Sequence, residues 1–289
     1  ISIWFLIPIF VILYRYKLLY QIVVRNLLYI LLLCIIGLSS CNLKVGDSGK
    51  EDKQLLVEAK RFDQLESRYL TTGDFSALQN MRTEYPQETR ALIEDVLELG
   101  DIDEVGINSK LLKFYQDTLL QRVIADIEEQ YSDFSDINSE LSSAFKRMQK
   151  LLPGIDIPEI YTQIGAFNQS IIVNRNAIGI SLDKYLGSEY PLYKKFYTAA
   201  QRETMNRSYI AADCLHFYLM SLFPCSKEQS DNLIETGLHA AAVMWVTNTI
   251  LNKEMFTTKE VQLIGSFMAK HPEITIKELL QYKHYRTLL

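Results

Sequence analysis

The chain is poor in the residues that most often carry chemistry. It has only four histidines, His216, His239, His271 and His284, and no HExxH. A zinc helix of that type needs two imidazoles on one face with a carboxylate base between them, so its absence speaks against such a hydrolase. GxSxG, P-loop and GxGxxG patterns are also missing. Cysteine is scarce: Cys34, Cys41, Cys214 and Cys225, at no spacing that resembles a zinc ligand set. Cys214 and His216 lie two apart, which on a helix points them to different faces and spoils a nucleophile–base pair. His216 itself reads as a hydrogen-bonded histidine on a mostly apolar helix. Positive charge is not concentrated: 30 Lys and Arg face 35 Asp and Glu, with no basic stripe. That excludes a nucleic-acid surface and leaves a mildly acidic, soluble exterior. No metal and no cofactor is expected. Methionine is missing before Met81.

Apolar residues, by contrast, crowd the front of the chain. Ile1–Tyr14 is nearly all apolar but too short for a bilayer, which takes about 20 residues. Arg25 then precedes Leu27–Gly37, and Leu38-Ser39-Ser40-Cys41 closes that run. A basic residue, a short apolar core and small residues directly before a cysteine make a bacterial export signal. Cys41 can take diacylglycerol on its sulfur and become the acylated, palmitoyl-type N-terminus after cleavage. Residues 1–40 are therefore read as a signal region absent from the mature fold. Residues 1–23 are read as upstream of translation, with Val24 as an alternative start. Residues 41–52, polar and holding two glycines, read as a flexible tether.

The remainder, 53–289, reads as one mostly helical domain in two parts, 53–152 and 153–289. In the first part apolar residues recur at helical spacing. Phe62, Leu65, Tyr69 and Leu70 mark a helix ended by Gly73. Asp74 caps the next, which Tyr85-Pro86 ends. Leu92–Leu97 mark a third. Asn108-Ser109 opens one long helix running to Tyr131, and Asp136 caps another reaching Leu152. Residues 158–183 change style, with β-branched and aromatic runs between turn residues. Strands are predicted at Ile160–Phe167, Ile171–Asn174 and Ile178–Leu182, with a tight turn at Asn174–Asn176. Short connections suggest a small antiparallel sheet near 159–183. Helices return over Leu192–Met205, from Ser208 to Leu222, and from Ser226 to about Leu251. Capping boxes at Thr257–Glu260 and Thr275–Glu278 start two more. The fold class is α+β, predominantly helical. An oxidising compartment permits a Cys214–Cys225 disulfide, while their apolar helix positions equally suit two buried thiols.

Gly179–Gly187 (GISLDKYLG) is the densest cluster of special residues. Asp183, Tyr185, Gly187, Tyr190 and Arg202 form the candidate functional loop, because loops after strands carry function disproportionately. The bland alternative is structural: Asp183 satisfying backbone groups at a turn, Tyr185 packing, and Gly187 taking a left-handed conformation. Asp183→Ala is expected to impair function more than Cys214→Ala does, at unchanged abundance.

These residues carry a resemblance. Arg61-Phe62-Asp63, Tyr85-Pro86, Leu151-Leu152-Pro153, Ile157-Pro158, Gly179–Gly187, Tyr190–Tyr193 and Arg202 together resemble the gliding-motility lipoprotein family GldB of Bacteroidetes, over about residues 58–225. The resemblance implies an envelope lipoprotein held on the bilayer by Cys41 acyl chains, on the outer rather than the inner membrane. It also implies protein partners in the motility and associated secretion machinery. It implies no chemistry, so a non-enzymatic docking or structural component is expected. The order of sheet and helices is also similar to zincin-type peptidases: Ile210–Tyr218 falls where their metal helix lies, and Glu235-Thr236-Gly237 falls where they carry a Glu-Gly pair. Without the histidine pair this would be a metal-free arrangement. The alternatives are a zincin-derived hydrolase and a lipoprotein that captures a peptide or glycan.

Overall fold

The computed structural model describes residues 56–174 and 176–288. Cys41, the signal region and the tether lie outside the described residues. Helix α1 spans Phe62–Thr72 and stops at Gly73, whose φ of 69° lets its N–H reach Tyr69 O. Asp74 caps α2 (Phe75–Glu84) by accepting from Ser76 N. Pro86 then opens α3 (Pro86–Arg90), which runs on into a π-helical turn, Ala91–Val96. Next come α4 (Ile107–Tyr115), α5 (Thr118–Gln130) and α6 (Ser135–Leu151). The expected single helix through Tyr131 is thus two. Asp117 caps α5 by accepting from Leu119 N and Leu120 N, so a good N-cap overrides a continuous apolar stripe. At α6 the bond to Ser135 N goes to Asp133, and Asp136 instead pairs with Arg207.

The sheet holds β1 (Glu159–Gln163), β2 (Ile171–Asn174) and β3 (Ala177–Ser181) in the order β1-β3-β2. It is mixed rather than antiparallel. β2 and β3 form the expected hairpin, but β1 and β3 run parallel, with Tyr161 opposite Gly179. The chain reverses after β1 and crosses about two strand widths, roughly 10 Å, before β2 begins. β3 fills the slot left between them, and β2 itself forms part of the long connection that a parallel pair needs. Gly179 is required there. A Cβ would stand 2.4 Å from the Tyr161 ring, which lies across the strand.

After β3 a 3-10 turn (Leu182–Lys184) leads to α7 (Tyr193–Phe196) and α8 (Ala199–Arg202). The single helix expected over Leu192–Met205 is interrupted at Tyr197, because Thr198 and Gln201 form a capping box that starts α8. A 3-10 turn capped by Asn206 precedes α9 (Ile210–Leu222). Ser226 caps only the one-turn α10 (Lys227–Ser230), and Asn232 caps the long α11 (Leu233–Leu251). Thr258 caps α12 (Lys259–Lys270), one residue later than the expected box, and the Thr275/Glu278 box opens α13 (Ile276–Leu280). A last 3-10 turn is Tyr285–Leu288.

One contiguous core joins the two parts. Phe62, Tyr161, Ile178, Ile180, Leu215, Val243 and Ile250 are all essentially inaccessible. Burying each large side chain of this kind contributes roughly 1.5–3 kcal/mol. The fold class is α+β, mostly helical, as the sequence indicates.

Candidate functional site

The loop after β3 is held by buried carboxylates. Three N–H groups of the turn after β1 point inward, away from sheet partners. Glu66 on α1 accepts from Ile164 N at 2.8 Å. Asp183, fully buried, accepts from Gly165 N at 2.6 Å and Phe167 N at 2.5 Å. Ala166 and Phe167 between them take positive φ, 50° and 66°, which the side chains tolerate only under such restraint. Burial pushes the Asp183 carboxyl up, against the opposing pull of the two N–H donors. Burial raises Glu66 further, and one of its oxygens has no partner among the described residues.

From Asp183 to Tyr193 the chain forms a strap laid over this turn. The Tyr193 hydroxyl donates to Asp183 O and accepts from Leu186 N. Tyr131 donates to Tyr185 O at 2.6 Å, and Tyr190 donates to Asp126 at 2.7 Å. Gly187 sits at φ 115°, and its N–H reaches Met205 O at 2.9 Å. Arg202 donates to Ser188 O at 2.7 Å. The structure therefore brings Asp183, Tyr185, Gly187, Tyr190 and Arg202 into one assembly, in which each side chain or backbone group fixes part of the strap.

Beside the strap lies a small polar pocket of about 230 Å³. Lys184, Tyr185, Tyr197, Gln201 and Asp213 are on its walls. Tyr185 donates to Asp213 at 2.8 Å. Lys184 donates to the Tyr197 hydroxyl at 3.0 Å, with its ammonium 4.7 Å from the Tyr197 ring centre. The Asp213 carboxyl is enclosed, although the residue as a whole is only partly buried. Burial raises it to about 6, opposed by the Tyr185 bond. Of the five candidate residues only Tyr185 lines this pocket. Asp213 was missed, yet it had a readable signal as the one acid in the otherwise apolar α9.

Asp213 makes stability depend on pH. Its folded pKa lies above its ordinary value of 3.8, so the folded protein keeps a proton that the unfolded chain releases. Stability therefore falls as pH rises from about 4 to about 6 and is flat above that. Asp213→Asn, which keeps an acceptor for Tyr185, is expected to be more stable than the parent at pH 7 by about 3 kcal/mol. The difference should vanish near pH 4, as read by urea melts across that range.

The cysteines and His216 stand apart from this pocket. Cys214 is buried and its thiol is pushed well up by burial; Cys225 is half-buried, and both are free thiols. His216 sits against Phe217 and Phe256, and its Nδ1 has no partner among the described residues, contrary to the hydrogen-bonded reading. Burial lowers it to about 4, so it is neutral. Among the described residues no cluster of three or more His, Cys, Asp or Glu could hold a metal ion.

Neither a curated protein nor a solved structure matches the chain. A family model does: "Gliding motility protein GldB" matches residues 47–259, a span that includes the buried carboxylates, the sheet, the strap and the pocket. With nearly three-quarters of its length matched, the chain belongs to the gliding motility protein GldB family of envelope lipoproteins.

Proposed function

We propose that this protein is a lipid-anchored envelope component that works by docking to partner proteins of the gliding-motility and associated secretion machinery, without chemistry of its own. Cys41 supplies the anchor, residues 41–52 the tether, and residues 53–289 the docking body, on the outer membrane. Among the described residues no helix is long and apolar enough to cross a membrane.

The observation that carries this reading is how the strap spends its polar groups. Asp183, Tyr190, Tyr193 and Arg202 are used on internal bonds, which rigidify the strap. On α7, just beyond the strap, Phe196 is 67% exposed, and a Glu189–Lys194 ion pair at 2.7 Å ties the strap to the same helix. A large exposed aromatic on a helix tied to a fixed strap is the composition of a protein contact.

Phe196→Ser is the direct test. Its ring is exposed, so stability is expected to change by no more than about 0.5 kcal/mol. Complementation of a deletion strain in a motility assay is expected to fail while abundance on immunoblots stays normal. Full complementation by Phe196→Ser combined with Glu189→Lys would rule out this surface.

A further inference from the structure

A second, larger cavity opens at the far end of the sheet from the strap, where β1 and β3 begin and β2 ends. Its volume is about 1180 Å³. The start of α3, the loop before β1, the β2–β3 hairpin and the last turn of α9 surround it. We propose that this cleft binds an extended, cationic polypeptide segment of a partner, one in which Lys or Arg alternates with apolar residues.

Charge is the first argument. Glu84, Glu88, Asp156 and Glu159 stand on the walls against a single ammonium, Lys60. That ammonium is already held by Glu159 at 2.7 Å. The unmatched carboxylates favour a cation, and the cleft walls strengthen their field relative to open solvent. The second argument is the apolar shelf beside them. Pro86, Ile157, Pro158, Tyr218 and Leu222 line it, with Leu222 39% exposed at the rim. Tyr218 donates to Asp156 O at 2.8 Å, which fixes that side of the wall.

The third argument is independent of both. Tyr161 lines the cleft, is 1% exposed, and its hydroxyl has no partner among the described residues. Such a buried donor normally finds an acceptor. Ring and hydroxyl lie together over Gly179, which has no side chain to offer as an acceptor. Burial, with the carboxylates Glu88, Glu66 and Asp95 nearby, keeps the phenol protonated, so it remains a donor. A ligand that suits the cleft must therefore bring an acceptor for Tyr161 and a cation for the acids. A polypeptide offers both, as backbone carbonyls and basic side chains. The lining itself interleaves the two kinds, with Pro86 between Glu84 and Glu88 and Ile157-Pro158 between Asp156 and Glu159, which suits an extended segment that mixes basic and apolar side chains at short spacing.

The test uses the full chain in lipid nanodiscs and a fluorescein-labelled peptide of alternating lysine and valine, read by anisotropy. Saturable binding is expected, weakening as salt rises through about 0.15 M. The same peptide with glutamate for lysine should bind at least about tenfold more weakly, a difference of 1.4 kcal/mol. Glu84→Gln, Glu88→Gln and Asp156→Asn together should weaken the lysine peptide by a similar factor, with the melting temperature unchanged. Glu189→Gln, on the strap, should leave it unaltered. Tyr161→Phe should cost a few-fold in affinity and nothing in stability, since the hydroxyl it removes has no internal partner. No saturable binding, equal affinity for the two peptides, or a triple variant that binds as the parent does would each overturn the proposal. Because the strap is not involved, these outcomes are separable from loss of docking by Phe196→Ser.

Discussion

Asp183→Ala is expected to destabilise the folded protein by about 2–6 kcal/mol, because it strands two buried N–H groups at roughly 1–3 kcal/mol each. Those donors, Gly165 N and Phe167 N, have no sheet partner to fall back on, and Ala166 and Phe167 are held at positive φ between and beside them. Relief of the buried carboxyl, whose pKa is raised by burial, offsets part of the loss at neutral pH. Against a typical total of about 5–15 kcal/mol, the remainder is still large. A thermal melt should show a fall on the order of 10 °C. Asp183→Asn, which keeps one acceptor, should fall between parent and alanine variant. A melting point within a degree of the parent for Asp183→Ala would show that the carboxylate does not hold the strap. Burial this deep argues against the expectation of unchanged abundance: loss of the Asp183 carboxylate is expected to lower folded protein as well as function, so exposed Phe196 is the sounder probe of docking.

Cys41→Ser is expected to move the protein from the membrane to the soluble fraction. A buried methylene contributes about 0.8 kcal/mol, and one acyl chain alone binds only marginally. Two or three long chains on a single cysteine reach on the order of 20 kcal/mol, which is permanent on the time scale of a cell. Serine offers no sulfur for the diacylglycerol, and the whole of that energy is lost. Fractionation of the native host with a high-salt wash reads the outcome. A serine variant that still sediments with membranes would mean that another segment holds the protein there. An unmodified thiol at Cys41 in native protein, by mass spectrometry, would remove the anchor from the account.

Much of the helical part was legible because its signals are local. Gly73, Asp74 and the Thr275/Glu278 box each act within four residues, and each sits where its spacing indicated. Errors came where a cap competed with an apolar stripe. Asp117 divides the long helix, and Asn232 starts α11 six residues after Ser226, because a capped start satisfies N–H groups that periodicity alone ignores. The strap residues were also legible as a cluster, since GISLDKYLG concentrates turn chemistry in nine positions. Their division of labour was not. Nothing near Asp183 in sequence says that its partners are Gly165 and Phe167, and nothing near Tyr185 names Asp213.

By itself the sequence determined the mainly helical α+β class, the family and the cysteine proposed for acylation. Each of these is written in composition, periodicity or a contiguous motif. Only the tertiary structure decided that β1 lies parallel to β3, that the loop acid is a buried brace, and that an acidic cleft includes a phenol without a partner among the described residues. Strand order and hydrogen-bond partners depend on contacts between residues far apart in the chain. Those contacts are selected by the packing of the whole core, which no local pattern encodes.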